Sequence, residues 1–243
     1  TIETAGSYSV PPTGTLTVTD ARNSSATFTA SIAGGSIWTL TASAANQTLN
    51  LYGCTFSEML TGALASTSTL RNCTFTNFGN ITTNGATIDG CTFQDMRTTT
   101  PISGTFALVI GTAGTATSCK FINCTPAVSW NVNADTNTRL DGSEFISGGT
   151  GHGIVLGSNT PSTITLTNVD FSGYGGTPGS NPTQSSGSTD AAIYNNAGKA
   201  ITINVSGGSN PSVRNGAGAT TVVNISVPVT VTVVDKNNAP VVN

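Results

Sequence analysis

Charge is what this sequence has least of. Only 8% of its 243 residues are Asp, Glu, Lys or Arg, against roughly a quarter in an average globular chain. The eight Lys and Arg are scattered along the chain, so no basic face is offered to nucleic acid. A single histidine and the lack of any Cys-x-x-Cys pair leave a zinc site without ligands. No apolar run approaches the roughly 20 residues of a membrane-spanning helix, so no membrane insertion is expected. Disorder is normally sustained by net charge, and here that is only −3. No cofactor and no metal are expected.

What is present in quantity is 44 Thr, 26 Ser, 23 Asn and 28 Gly, with 37% apolar residues. Thr, Val, Ile and Phe suit strands, and Gly and Asn suit turns. The composition is that of a surface-exposed β-protein. Its length allows one large β-domain or two ordinary ones.

A repeat specifies the architecture. Six segments align on a phenylalanine: Leu51-Tyr-Gly-Cys-Thr-Phe56, Leu70-Arg-Asn-Cys-Thr-Phe75, Ile88-Asp-Gly-Cys-Thr-Phe93, Ala116-Thr-Ser-Cys-Lys-Phe121, Leu140-Asp-Gly-Ser-Glu-Phe145 and Leu166-Thr-Asn-Val-Asp-Phe171. The steps between phenylalanines are 19, 18, 28, 24 and 26 residues. Units of this size bury their apolar edge only against neighbouring units, as in a solenoid. Strand alternation points the Leu/Ile/Ala position, the Cys/Ser/Val position and the Phe inward. Three residues before each Phe stands Gly53, Asn72, Gly90, Ser118, Gly142 or Asn168. Gly and Asn tolerate a left-handed backbone best, so this column is a sharp bend between two strands. Leucine-rich repeats would need more leucines and a convex, often helical segment, whereas the stretches between the motifs are poor helix formers.

The motif resembles the parallel β-helix repeats of the pectate-lyase-like superfamily over about residues 36–206. The fold implied is all-β: a right-handed, single-stranded parallel β-helix over residues 36–226. Phe106–Ile110, Val128–Val132 and Ile154–Leu156 supply the other strands of its coils, and Ile201–Val205 and Val222–Ile225 supply one or two more. Residues 1–35 lack the motif and are expected to form an N-terminal cap over the bare sheet edge. Residues 227–243 read as a strand, a turn and a second strand, the start of a further domain in a chain that continues beyond Asn243. Thr1, without a Met or a basic leader, reads as a processed start.

Four cysteines, Cys54, Cys73, Cys91 and Cys119, fall in one inward column about one coil apart, roughly 4.8 Å. In-register side chains point the same way, so free thiols acting as small apolar residues are expected. Cys124 could face Cys119 across a bend. With five cysteines at least one thiol stays unpaired within the chain. Gly151-His152-Gly153 resembles one motif of the polygalacturonases, but the paired Asp, Asn-x-Asp and Arg-x-Lys that should accompany it are missing; His152 is expected to face solvent on a turn. Glu144 and Asp170 each precede a motif Phe and share an outward column. A retaining glycosidase needs two carboxylates about 5 Å apart, yet Lys120 stands in the same column and would pair with Glu144. The Gly/Ser/Pro-rich stretch 172–190 is the longest loop, and Tyr174, Gln184 and Asp190 are its candidate binding residues. Trp38, Trp130 and Tyr174 are candidate stacking platforms, although Trp130 alternates with Val128 and Val132 and reads as core. Seven Asn-x-Ser/Thr sites match chance in so Ser/Thr-rich a chain.

Three functions are compatible with these residues. The first is a structural or adhesive module without catalysis, at the surface of a virion (tail, spike, head fibre or decoration protein) or in an extracellular filament. Its partners would be other subunits of that assembly, as a homo-oligomer such as a trimer, and a cell-surface glycan. The Thr/Asn/Gly-rich coils followed by Val229-Thr-Val-Thr-Val233 and Asp235-Lys-Asn-Asn238 resemble modular phage structural proteins. The second is a polysaccharide-degrading spike using Glu144 and Asp170. The third is a glycan-binding surface module.

Overall fold

A computed structural model describes residues 15–19, 27–33, 37–41, 50–57, 59–83, 85–96, 106–111, 114–133, 139–179 and 187–226, with side chains from residue 50 onward except at 59–61. Every regular element among them is a β-strand, most of them three residues long. Such strands are too short to stand alone, so the unit of structure is a coil. One coil runs through Thr69–Arg71, Thr74–Thr76 and Asn80–Thr82. The next repeats it with Thr87–Asp89, Thr92–Gln94 and Leu108–Ile110, each strand pairing in parallel with its counterpart. Stacked in this way, the coils make three sheets: eight strands from Thr55–Ser57 to Thr220–Ser226, four from Asn50–Tyr52 to Thr115–Thr117, and ten from Thr15–Thr19 to Val213–Asn215. The molecule is a solenoid-like stack of parallel β-coils.

Its N-terminal end differs. Thr15–Thr19 pairs antiparallel with Thr27–Ala33, which pairs antiparallel with Ile37–Thr41. Ile37–Thr41 then pairs in parallel with Met59–Ala63, and from there every pairing is parallel. Most of the expected cap and all of residues 227–243 lie outside the described residues.

All six motif phenylalanines are in register: Phe56 on Phe75, Phe75 on Phe93, Phe93 on Phe121, Phe121 on Phe145 and Phe145 on Phe171. Their rings stack with centroids 4.7–5.2 Å apart and near-parallel planes. The four inner rings are fully buried, and the end members Phe56 and Phe171 only partly. Phe78, outside the motif, fills the space beside the stack at 6.2 Å from Phe75 and 5.9 Å from Phe93. Leu51, Leu70, Ile88, Ala116, Leu140 and Leu166 form a second buried column, and Leu108, Val128, Ile154, Ile193 and Val213 a third.

The bends follow from the backbone. Gly53, Asn72, Gly90, Ser118, Gly142 and Asn168 all have φ between +52° and +69°. Stacking makes this column selective beyond conformation, because a Cβ on Gly90 would meet the Asn72 Oδ1 at 2.5 Å. A second left-handed column, two residues after the Phe, consists of Asn77, Asp95, Asn123 and Gly173. Here the amide of one coil serves the next: Asn123 Nδ2 donates to Asp95 Oδ1 at 2.7 Å.

The interior turns polar toward the C-terminal end. Asn195 and Asn215 take the buried positions above Trp130 and Leu156. Asn195 Nδ2 donates to Thr220 O at 3.0 Å and Thr221 Oγ1 at 2.9 Å, while the Thr221 hydroxyl donates to Asn215 Oδ1 at 2.6 Å. A buried network of this kind is tolerated when its members are satisfied.

Phe75→Ala and Phe93→Ala should each cost about 3–5 kcal/mol, because each removes a ring held between two others. Phe56→Ala, at the partly exposed end, should cost less. Denaturant unfolding of the three variants checks the order; equal stabilities would show that the ring column does not carry the core.

Candidate functional site

The outward column beside the phenylalanines holds the carboxylate pair that the repeat brings together among the described residues. Glu144 and Asp170 are register partners on adjacent strands. Glu144 is also the register partner of Lys120, whose Nζ lies 2.7 Å from Glu144 Oε2. Both side chains are about two-fifths exposed. An ion pair in water accounts for this arrangement, and such pairs contribute little. Among the described residues no group of three or more His, Cys, Asp or Glu could hold a metal ion.

The cysteines lie inside. All five are buried and free. Cys73 N–H donates to Cys91 Sγ at 3.4 Å, and the thiols donate to nearby carbonyls, Cys73 to Arg71 O at 3.4 Å and Cys119 to Thr117 O at 3.3 Å. Where the column reaches Ser143, its hydroxyl accepts from Cys119 N–H and donates to Ala116 O. Cys124 does not pair with Cys119; its thiol donates to Phe93 O at 3.4 Å. The hydrogen-bonded Cys119 sulfur is the main reason that Cys91 is pushed up to about 12, and burial takes Cys124 to about 12. The Cys91 sulfur and burial raise Cys73 as well. Thiolate is the reactive form, so these thiols are inert.

The expectation for His152 is corrected. His152 is buried at 9% exposure. Gly151, at φ +74°, turns the chain, and the ring stacks on Tyr194 with centroids 4.8 Å apart. Nδ1 lies 2.8 Å from Ala191 O; that partner is a carbonyl, so Nδ1 carries the proton. Burial lowers the pKa and keeps the ring neutral. Gly153 is required for a packing reason, since a Cβ there would lie 2.9 Å from Ala192 O and 3.0 Å from the Tyr174 hydroxyl. A left-handed turn accounts for Gly151 and close approach of coils for Gly153 in the Gly-His-Gly triplet.

The 172–190 excursion begins by packing inward. Tyr174 meets Phe171 edge-on at 6.2 Å and closes the end of the ring stack, and burial raises its pKa. Asp190 stays at the surface, where the Ser188 hydroxyl donates to it and holds its carboxyl below the usual range. Gln184 and the Trp38 side chain lie outside the described residues. Trp130 is core at 1% exposure, with the Arg139 guanidinium 5.9 Å from its ring. The surface grouping that sequence reasoning missed is Tyr194 and Arg214, register partners on adjacent coils, with Arg214 Cζ 5.6 Å from the Tyr194 ring. Neither residue belongs to the phenylalanine motif, and only the Ile/Val alternation around them hints at their place.

Comparison of the chain with protein-family models, with curated proteins and with solved structures finds no match in any of the three.

Two outcomes follow from the buried groups. Cys73 and Cys91 should resist a thiol reagent in the native protein and react after denaturation; mass-spectrometric counting of labels reads this directly, and rapid native labelling of both would contradict an inward column. His152 titrates lower in the folded chain than the 6.5 of a free histidine. The unfolded chain therefore takes up a proton first as pH falls. Stability contributed by neutral His152 is complete above pH 6.5 and is lost below it, down to the folded pKa. Melting temperature should drop between pH 7 and pH 5, with a shallower slope in His152→Gln.

Proposed function

We propose that the chain is a structural or adhesive module without catalysis, a right-handed parallel β-helix with a capped N-terminal end and a C-terminal strand leading out of the stack. Its place is the surface of a virion, as a tail, spike, head-fibre or decoration component, or an extracellular filament. It works there as a homo-oligomer such as a trimer, among other subunits of the assembly and against cell-surface glycan. The observation that carries this reading is the unbroken register of six stacked phenylalanines. A column in which every coil is hydrogen-bonded and ring-stacked to the next resists bending, which is what a spacer needs. Ionisable groups are few, and Glu144 is engaged by Lys120 at the surface, which leaves little for acid–base chemistry.

Immunogold electron microscopy of the producing culture, with an antibody to this chain, tests the assignment. Label on particles or filaments is the expected result; label confined to the soluble fraction would remove it. No reducing ends should be released from acidic or neutral polysaccharides. Glu144→Gln should change stability by no more than about 1 kcal/mol, as for an exposed ion pair. Glu144-dependent release of oligosaccharide would replace the scaffold with an enzyme.

A further inference from the structure

Tyr194 and Arg214 are register partners on adjacent strands of the ten-stranded sheet, and His152 precedes the strand Ile154–Leu156 of the coil before them. Tyr194 is therefore not an open stacking platform. The imidazole covers one side of its ring at 4.8 Å, and the guanidinium from the next coil lies 5.6 Å from its centre on the other. One ring thus holds two polar groups apart, a buried imidazole and a half-buried guanidinium. Arg214 makes no hydrogen bond or ion pair among the described residues, and the stack holds its fork in place. His152 gives its only proton to Ala191 O. Its Nε2 keeps a lone pair and has no hydrogen-bond partner among the described residues. Asp190 is occupied by Ser188.

We infer that this stack is a binding site for a sugar unit bearing an oxyanion, a carboxylate or a sulfate ester. The guanidinium takes the oxyanion through paired N–H donors, the geometry in which arginine binds most strongly. A hydroxyl of the same unit donates to His152 Nε2. Two coils separate these groups by about 10 Å, which a pyranose roughly 5 Å across fills with a hydrogen bond of about 2.8 Å at each end. The polarity follows from the groups themselves: oxyanion on the Arg214 cation, hydroxyl on the Nε2 lone pair. A neutral sugar satisfies only the imidazole and leaves the guanidinium unused. The inference deepens the adhesive reading and rests on it for the choice of a glycan, but the two fail separately. Labelled particles with no sugar binding would leave the shaft assignment standing and end this one.

His152 is the only histidine, so its imidazole resonances need no assignment. The full chain is titrated by NMR with sialyllactose, a uronate oligosaccharide, a sulfated disaccharide and lactose. The His152 signals should move with at least one acidic sugar and stay still with lactose; the three acidic arms separate carboxylate from sulfate. Arg214→Gln should weaken binding by about tenfold or more, the loss expected of a charge-assisted hydrogen bond. Lys120→Gln, an equal loss of charge on a different sheet, should leave binding unchanged. Near-UV circular dichroism confirms that each variant is folded, and Arg214→Lys, which keeps the charge and loses the fork, should bind several-fold more weakly at parental stability. The inference is overturned if no acidic sugar binds, if lactose binds equally well, or if Arg214→Gln and Arg214→Lys both bind as the parent does.

Discussion

Parallel pairing in register is the constraint on which the rest of this molecule depends. It sets each residue directly on its counterpart in the next coil, about 4.8 Å away, so the chain repeats along its axis whatever it places on a coil. Apolar residues gain from this: phenylalanine lies on phenylalanine with centroids 4.7–5.2 Å apart. Charged residues lose, since a carboxylate carried by every coil would form a column of like charges, which is destabilising between neighbouring strands. The scarcity of charge at 8% is therefore a property of the fold as much as of the surface. Where charges enter the outward column, Lys120 and Glu144 come as opposite neighbours, and the positions before them are threonines, Thr55, Thr74 and Thr92.

The same constraint governs the bends. A corner recurring on every coil must suit a left-handed residue each time, and the side chains at the corner must stack too. Asn72 beside Gly90 shows the solution: the amide of one coil occupies space that only a glycine on the next leaves open. Alternation of Asn and Gly in the sequence is thus a packing relation between coils, whereas the left-handed angle alone would accept either residue throughout.

This explains what could be read in the sequence. The phenylalanine, cysteine and first-bend columns repeat at fixed offsets within a six-residue motif, and every one of their members stands where that motif puts it. The second bend column was harder to see because Ser147 interrupts Asn77, Asp95, Asn123 and Gly173 without adopting their angle. Phe78 escaped because it occurs on a single coil. His152 was misplaced for a different reason. Its burial depends on Ala191 and Tyr194, about forty residues away, and no local pattern announces such a contact. The buried Asn195 and Asn215 likewise look like turn residues until Thr221 on the last coil supplies their partner.

Past the antiparallel strands of the N-terminal end, the departures from the repeat concentrate at the C-terminal end, and stacking gives the reason. A phenylalanine column can continue only while each coil offers a ring; after Phe171 the next coil runs Gly208-Ser209-Asn210, with Gly208 on Val169 and the Ser209 hydroxyl accepting from Phe171 N–H. Tyr174 then closes the stack edge-on. With the ring column ended, the C-terminal coils no longer need identical residues at each level, and the chain departs from the motif there for its longest excursion. Unlike residues can then follow one another along the axis, and Val155, Tyr194 and Arg214 do so on three coils in succession, with the His152 ring stacked on Tyr194. A stack built on identical residues has little individuality along its length, and the residues that vary from coil to coil lie where that stacking stops.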